Sequence, residues 1–279
     1  FSGLAQPGAR GGGRRAAGVG MSAPVTVSRE EGLAVVTIDA PPLNLFDQPM
    51  MAALEAAVAE LEQDPPRAVL IRAEGRVVSG GVDVGAIFDG LSSGDGERLW
   101  EQWLTVIGRL EALPLPTVFA AHALCLTAAF EVALACDLIV AADSARFGLV
   151  EIVVGLTPSM GGPQRLTARC GPARAKELIM TGELFDAETL HGWGVVNRVY
   201  GDQEFAPEAL ALARTLAAGP TRAHAATKAI VAATVDGGVQ AADQATPAIS
   251  AALFDTEDLQ GGVRSFLENG PGHAVYTGR

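Results

Sequence analysis

Two acidic side chains stand alone in apolar surroundings. Glu131 lies in PTVFAAHALCLTAAFEVALACD (116–137), and Glu151 lies in FGLVEIVVG (147–155). The Ala- and Leu-rich run 127–136 predicts a helix, which places Thr127, Ala128, Leu134 and Ala135 one turn from Glu131. None of these is charged, so the helix is apolar on all sides and belongs in an interior. A lone buried carboxylate is costly unless something pairs with it or uses it. It is therefore either a structural glutamate meeting an arginine or backbone N–H groups, or the acid/base of a site. Glu151 has the same two faces, a residue exposed on a loop or a second acid. A third stretch, RVVSGGVDV (76–84), runs a strand into Gly80-Gly81, where the chain can turn sharply and a ligand can approach the main chain. It satisfies neither the dinucleotide pattern G-x-G-x-x-G nor the Walker pattern. An ordinary strand-to-loop bend therefore remains open beside a binding turn.

These residues need elements to hold them. Leu33–Ile38 reads as a strand stopped by Pro41-Pro42. Asp47 is placed to cap a helix carrying Met50, Met51, Leu54, Val58 and Leu61 at helical spacing. Asp64-Pro65-Pro66 ends that helix before a second strand at Ala68–Ile71. A helix is expected over about 96–113, then strands at Thr117–Ala121 and Leu138–Ala142 on either side of the helix that bears Glu131. Alternating strands and helices predict an α/β layer fold. On the 96–113 helix, Leu99, Trp100, Trp103, Leu104 and Ile107 recur at helical spacing, as core or as contacts to an apolar ligand. After about residue 202 the chain turns to Ala-rich helices without strands. Three portions are expected: a flexible tail over 1–20, a core over 21–202 and a helical C-terminal portion over 203–279.

With 279 residues, nearly half of them hydrophobic, the chain can bury a large core. A net charge of −12 speaks against nucleic acid or an anionic membrane as the main partner, so an anionic ligand needs a local basic point. The three cysteines, Cys125, Cys136 and Cys170, lack metal spacing, and with no secretory signal they read as reduced thiols in a cytoplasm. No membrane-spanning segment is expected, the longest apolar stretch being broken by His122, Thr127 and Glu131. No His-Glu-x-x-His or paired-Cys motif suggests a metal. His122 and His191 read as packing or surface residues. A serine hydrolase is set aside on the expectation that no Gly-x-Ser-x-Gly elbow occurs.

Taken together, the three stretches resemble the enoyl-CoA hydratase/isomerase family, the crotonase superfamily. Four blocks match in order: Gly81-Val82-Asp83; FEVALACD (130–137); FGLVE (147–151) with PSMGGPQRL (158–166); and FDTED (254–258) with GVRSF (262–266). The resemblance covers about 25–272. It implies a crotonase-like spiral of ββα turns with C-terminal helices that build a homotrimer, often paired into a hexamer. It further implies an oxyanion hole from the backbone N–H groups of Val82 and Ala128, and coenzyme A contacts at Arg76, Gly80 and Asp83. Glu131 and Glu151 fall on both glutamates of the hydratases, where the pair holds one water that adds to carbon 3 while a proton reaches carbon 2. Burial and mutual repulsion raise at least one pKa of such a pair, which permits acid and base roles in one site. The expected activity is that of an enoyl-CoA hydratase-like lyase of fatty acid metabolism, with an acyl-CoA thioester as substrate and no resident cofactor or metal. Double-bond isomerisation or another enolate reaction is the nearest alternative, and a non-catalytic acyl-CoA-binding protein is the third. Thr127-Ala128-Ala129 stand where family hydratases usually carry glycines, Ser159 stands where one is common, and Gly85 replaces a frequent lysine.

Overall fold

The computed structural model describes residues 23–279. The expected tail at 1–20 lies outside the described residues. Strands β1 (Val25–Glu30) and β2 (Leu33–Ile38) form an antiparallel hairpin. Helix α1 (Gln48–Gln63) starts as expected at Asp47, whose side chain accepts the Met50 N–H at 2.8 Å. Such a cap contributes about 1 kcal/mol, and α1 buries Met50, Met51, Leu54, Val58 and Leu61. Strand β3 (Ala68–Ala73), short helix α2 (Val84–Phe88) and helix α3 (Ser93–Glu111) follow. Helix α3 begins and ends slightly earlier than the expected 96–113, because Ser92 and Asp95 form a reciprocal cap at its start.

The middle of the chain alternates between two sheets. Strand β4 (Thr117–Ala121) joins the main sheet and β5 (Cys125–Leu126) the second, before helix α4 (Ala128–Ala135). The next turn repeats this with β6 (Leu138–Ala142), β7 (Arg146–Gly148), a 3₁₀ turn at Glu151–Val154 and helix α5 (Gly162–Thr181). Then β8 (Phe185–Asp186) pairs in the second sheet, helix α6 (Ala187–Gly192) follows, and β9 (Arg198–Tyr200) closes the first. Among the described residues the main sheet has six strands in the order β1-β2-β3-β4-β6-β9, parallel from β2 onward, and the second has three in the order β5-β7-β8. From β4 onward each turn thus lends one strand to each sheet, as expected of a spiral of ββα units.

Both faces of the main sheet are covered, and its strands alternate between two cores. Ala34, Val36, Val69, Ile71, Phe119, Ala121, Ile139 and Ala141 face the core shared with α1, α3 and α4. Leu33, Val35, Leu70, Val118, Ala120 and Val140 face helix α7 (Asp202–Ala218) through its Phe205, Ala209, Leu212, Ala213 and Ala217. The first helix after residue 202 therefore shares a core with the sheet. Helix α8 (Thr221–Ala251), broken at Gly238, and helix α9 (Glu257–Asn269) extend beyond it. Lys228 of α8 returns to the core, donating to the Leu115 carbonyl at 3.0 Å and to Asp137 at 2.9 Å.

Candidate active site

All eight residues of α4 are buried, so Glu131 has no solvated face on its own helix. It is only 2% exposed. Its Oε1 accepts two backbone N–H groups, from Met160 and Gly162, each at 2.8 Å. Both donors come from the segment that turns into α5. Gly162 gives that carboxylate its room, because a Cβ there would sit 2.9 Å from Glu131 Oε1 and 3.0 Å from its Cγ and would push the side chain aside. Burial pushes the Glu131 carboxyl up to about 7, opposed by the two N–H donors and the charge of Arg165. Glu131 is thus held by backbone N–H groups, as one of its two readings anticipated, and it also keeps a pKa near neutrality.

Glu151 opens the 3₁₀ turn after β7 and is partly buried, so it is not a residue exposed on a loop. Its Oε2 is sealed from solvent without a hydrogen-bond partner among the described residues. Burial, and then the charge of Glu131, push its carboxyl up to about 8. The two glutamates of separate turns therefore meet electrostatically in one interior site. Their asymmetry is chemical: Glu131 has donors that stabilise its anion, and Glu151 has a neighbour that disfavours a second anion.

The glycine turn lies alongside. The Gly81 carbonyl accepts the Phe46 N–H at 2.8 Å, so the N–H of the same planar peptide, that of Val82, points the opposite way. The Thr127 carbonyl accepts the Glu131 N–H at 2.9 Å, so the Ala128 N–H points out of the start of α4. Neither Val82 nor Ala128 has an acceptor for its N–H among the described residues. A Cβ built on Gly81 would lie 2.6 Å from Thr127 Oγ1, so the residues that precede these two N–H groups are packed against each other. Gly80 donates to the Leu43 carbonyl at 2.8 Å, and Asp83 caps α2 by accepting the Ala86 N–H at 3.0 Å. Arg76 is exposed, with no ion pair among the described residues.

A cavity of about 790 Å³ opens between α2, α3 and Leu156, walled by Phe88, Leu91, Trp100 and Leu104, with Glu97 and Glu101 at its polar side. It adjoins both carboxylate-bearing segments. The Leu156 N–H donates to the Glu151 carbonyl at 3.1 Å, and Leu104 packs beside Gly161, between the two donors of Glu131. The five apolar residues singled out on α3 thus divide: Leu99, Trp103 and Ile107 are core, whereas Trp100 and Leu104 line the cavity.

The sequence reading missed the Met160 and Gly162 donors; the Gly161-Gly162-Pro163 run at a helix start was their only local signal. It also missed a literal match. Gly90-Leu91-Ser92-Ser93-Gly94 does spell Gly-x-Ser-x-Gly, contrary to expectation. Ser92 is nevertheless an exposed cap hydrogen-bonded to Asp95, and the segment before it is α2 rather than a strand, so no nucleophile elbow is built. His122 and His191 each bond a backbone carbonyl, of Gly75 and Val196 respectively. The described cysteines are free, and burial pushes Cys136 up to about 12. No helix among the described residues is long and apolar enough to cross a membrane.

The family model described as enoyl-CoA hydratase/isomerase matches residues 28–276. The chain is 30% identical over 246 residues to a Mycobacterium tuberculosis protein named "Probable enoyl-CoA hydratase echA8", a match that spans 88% of this chain and 95% of that one. It is 34% identical over 203 residues to "Probable enoyl-CoA hydratase EchA17" of the same species, covering 72% of this chain and 77% of that one. Among solved structures, the enoyl-CoA hydratase of Mycobacterium smegmatis superposes with a TM-score of 0.83 at 29% identity, over 88% of this chain and 96% of that one. A Geobacillus kaustophilus structure titled "Enoyl-CoA Hydrates Subunit I" gives a TM-score of 0.85 at 30% identity, over 92% and 98% of the two chains. The alternating two-sheet spiral is the crotonase fold, and the chain belongs to the enoyl-CoA hydratase/isomerase family.

Proposed function

We propose that the protein is an enoyl-CoA hydratase-like lyase that adds water across the 2,3 double bond of a 2-enoyl-CoA thioester. The observation that carries this reading is the pair of interior carboxylates with opposite preferences, Glu131 and Glu151. Near neutral pH the pair retains one proton, and the two N–H donors on Glu131 favour its resting on Glu151. Glu131 takes a proton from water as the water oxygen bonds to carbon 3. The double-bond electrons move toward the thioester carbonyl, whose oxygen takes up negative charge facing the Val82 and Ala128 N–H groups. Glu151 then delivers its proton to carbon 2, and the proton on Glu131 passes to Glu151 to restore the pair.

Substrate recognition follows the same reading. Arg76, an exposed cation in a chain of net charge −12, meets the phosphates of coenzyme A. The Gly80 main chain lies along the adenine, and Asp83 holds that loop through its cap on α2. The acyl chain enters the cavity beside Trp100 and Leu104. The chain works as a homotrimer or hexamer built through its C-terminal helices. No resident cofactor or metal takes part.

The test is a panel of 2-enoyl-CoA thioesters with product identification, for the wild type and for Glu131→Gln and Glu151→Gln. Each substitution is expected to lower hydration by about 10²- to 10⁴-fold, the usual contribution of a positioned acid or base. The double variant is expected to be little worse than the poorer single, because the groups act as a unit. Acyl-CoA binding, measured alongside, should persist. An isomerase would instead lose activity with Glu151→Gln and tolerate Glu131→Gln, and a binding protein would turn over nothing. Full hydration by both single variants would overturn the mechanism.

A further inference from the structure

We infer that Thr127 is a positioning residue, whose side chain is wedged against Gly81 and fixes the spacing of the Val82 and Ala128 N–H groups. The inference rests on the thioester site proposed above, and concerns how this chain shapes it. Thr127 has φ +47° and ψ −120°. That is backbone territory that suits glycine, and a β-branched residue there is a genuine outlier. The residue is 6% exposed, and its Oγ1 is buried with no hydrogen-bond partner among the described residues. Strain and a stranded hydroxyl are both unfavourable, and glycine at this position would remove both. Outliers of this kind persist where the surroundings enforce them, and they cluster at functional sites.

The surroundings show what the side chain does. A Cβ added at Gly81 would lie 2.6 Å from Thr127 Oγ1, 3.3 Å from its Cγ2 and 3.5 Å from its Cβ. Thr127 thus fills the volume that every residue but glycine would need at position 81. Gly81 itself adopts φ +102°, so both halves of the contact sit in unusual backbone conformations. The glycine loop is held on its other side by the Ser79 hydroxyl, which donates to the Asn44 carbonyl at 2.7 Å and accepts the Gly81 N–H at 2.9 Å. Thr127 is held in turn by its own N–H, which donates to Gly148 at 2.9 Å. The wedge is clamped between two anchored segments, and the next peptide on each side carries one of the unpartnered N–H groups. A donor displaced by a fraction of an ångström would leave a ground-state ligand bound while weakening the stabilisation of developing charge.

Two variants and a spectroscopic probe test this. Thr127→Gly removes the wedge, and Thr127→Val keeps its shape without the hydroxyl. The probe is a saturated acyl-CoA labelled with carbon-13 at the thioester carbonyl, whose stretching frequency in the bound state reports polarisation by the two N–H groups without any turnover. Thr127→Gly is expected to return that frequency toward its value in free solution and to lower kcat roughly 10- to 100-fold. Thioester affinity should change little, and the melting temperature should not fall. Thr127→Val should keep both the wild-type frequency and kcat. Wild-type frequency and kcat in Thr127→Gly would overturn the inference. So would their loss in Thr127→Val, which would make the hydroxyl itself the contact. A wild type that polarises the bound carbonyl yet hydrates no thioester would sink the proposed reaction and leave the wedge standing. An unpolarised carbonyl in the wild type would overturn the wedge, whatever the reaction.

Discussion

Glu131 and Glu151 are the same residue type in one interior, and their partners make them different. Two N–H donors converge on one oxygen of Glu131, whereas an oxygen of Glu151 is sealed away without any among the described residues. Catalysis as proposed needs one proton on the pair, so activity should peak between about 7 and about 8, the values to which the two carboxyls are raised. Below this window both are protonated and no base remains; above it both are ionised and no acid remains. A kcat/KM profile on an enoyl-CoA thioester checks the position of both limbs. Stability should carry the opposite signature of these groups. Each folded pKa lies above the ordinary 4.5, so between 4.5 and about 8 the folded chain holds protons that the unfolded chain releases. Their contribution is complete below 4.5 and is lost as pH rises through the folded values. Glu151→Gln should therefore raise the melting temperature at pH 8 relative to wild type, and do so much less at pH 5. Melting curves at the two pH values decide it, and an equal shift at both would show that charge on Glu151 is not the cause.

At the scale of elements, the site is made where secondary structure begins. Glu131 lies in the first turn of α4, its donors precede and open α5, and Glu151 opens the 3₁₀ turn. Starts of helices supply unpartnered N–H groups, which is why a carboxylate can be buried against one and why developing charge can be received at another. One tight junction is α4 against the start of α5, where Gly162 gives Glu131 its room. Gly162→Ala keeps the N–H donor but places a methyl group against Oε1 and Cγ. Because Gly162 has no positive φ, alanine costs nothing in backbone strain there. The expected result is a folded protein in which the Glu131 carboxylate is displaced and kcat falls about 10²-fold, as for misplacement on the ångström scale. Circular dichroism and a thioester assay on the same preparation check both halves.

At the scale of the whole molecule, the described chain leaves apolar side chains uncovered on its C-terminal helices. Val235 and Val239 of α8 and Val263, Phe266 and Leu267 of α9 are each more than half exposed, as is Phe254 between them. Such a surface fits the proposed homotrimer or hexamer, in which copies of the chain would bury it. Light scattering on the wild type should give a trimer or a multiple of it, and Leu267→Asp with Val235→Asp should shift the mass toward the monomer. A wild-type monomer at micromolar concentration would count against the assembly. Val235 and Leu267 are exposed on α8 and α9, elements that carry neither glutamate, so mass and thioester turnover are measured on the same variants.

The sequence by itself determined the elements with a strong local rhythm. The periodicity of α1 with its Asp47 cap, the two-sided apolar strands Thr117–Ala121 and Leu138–Ala142, and the burial of Glu131 on a helix without a polar face were all legible, because each depends on neighbours within a turn or on alternation along a strand. Strands β5, β7 and β8, with two or three residues each, are too short to carry a period. They exist only because the spiral lays one turn on the next. The quality of the site is likewise a tertiary matter. The donors that hold Glu131 lie 29 and 31 residues away, and Glu151 is raised first by burial and then by the charge of Glu131 on another turn. Thr127 read as part of a helix and is instead a strained residue ahead of it, clamped between Gly148 and Gly81. Residue types name the groups that could react; packing between distant segments sets which oxygen is held, which proton is retained and how far apart the two N–H groups stand.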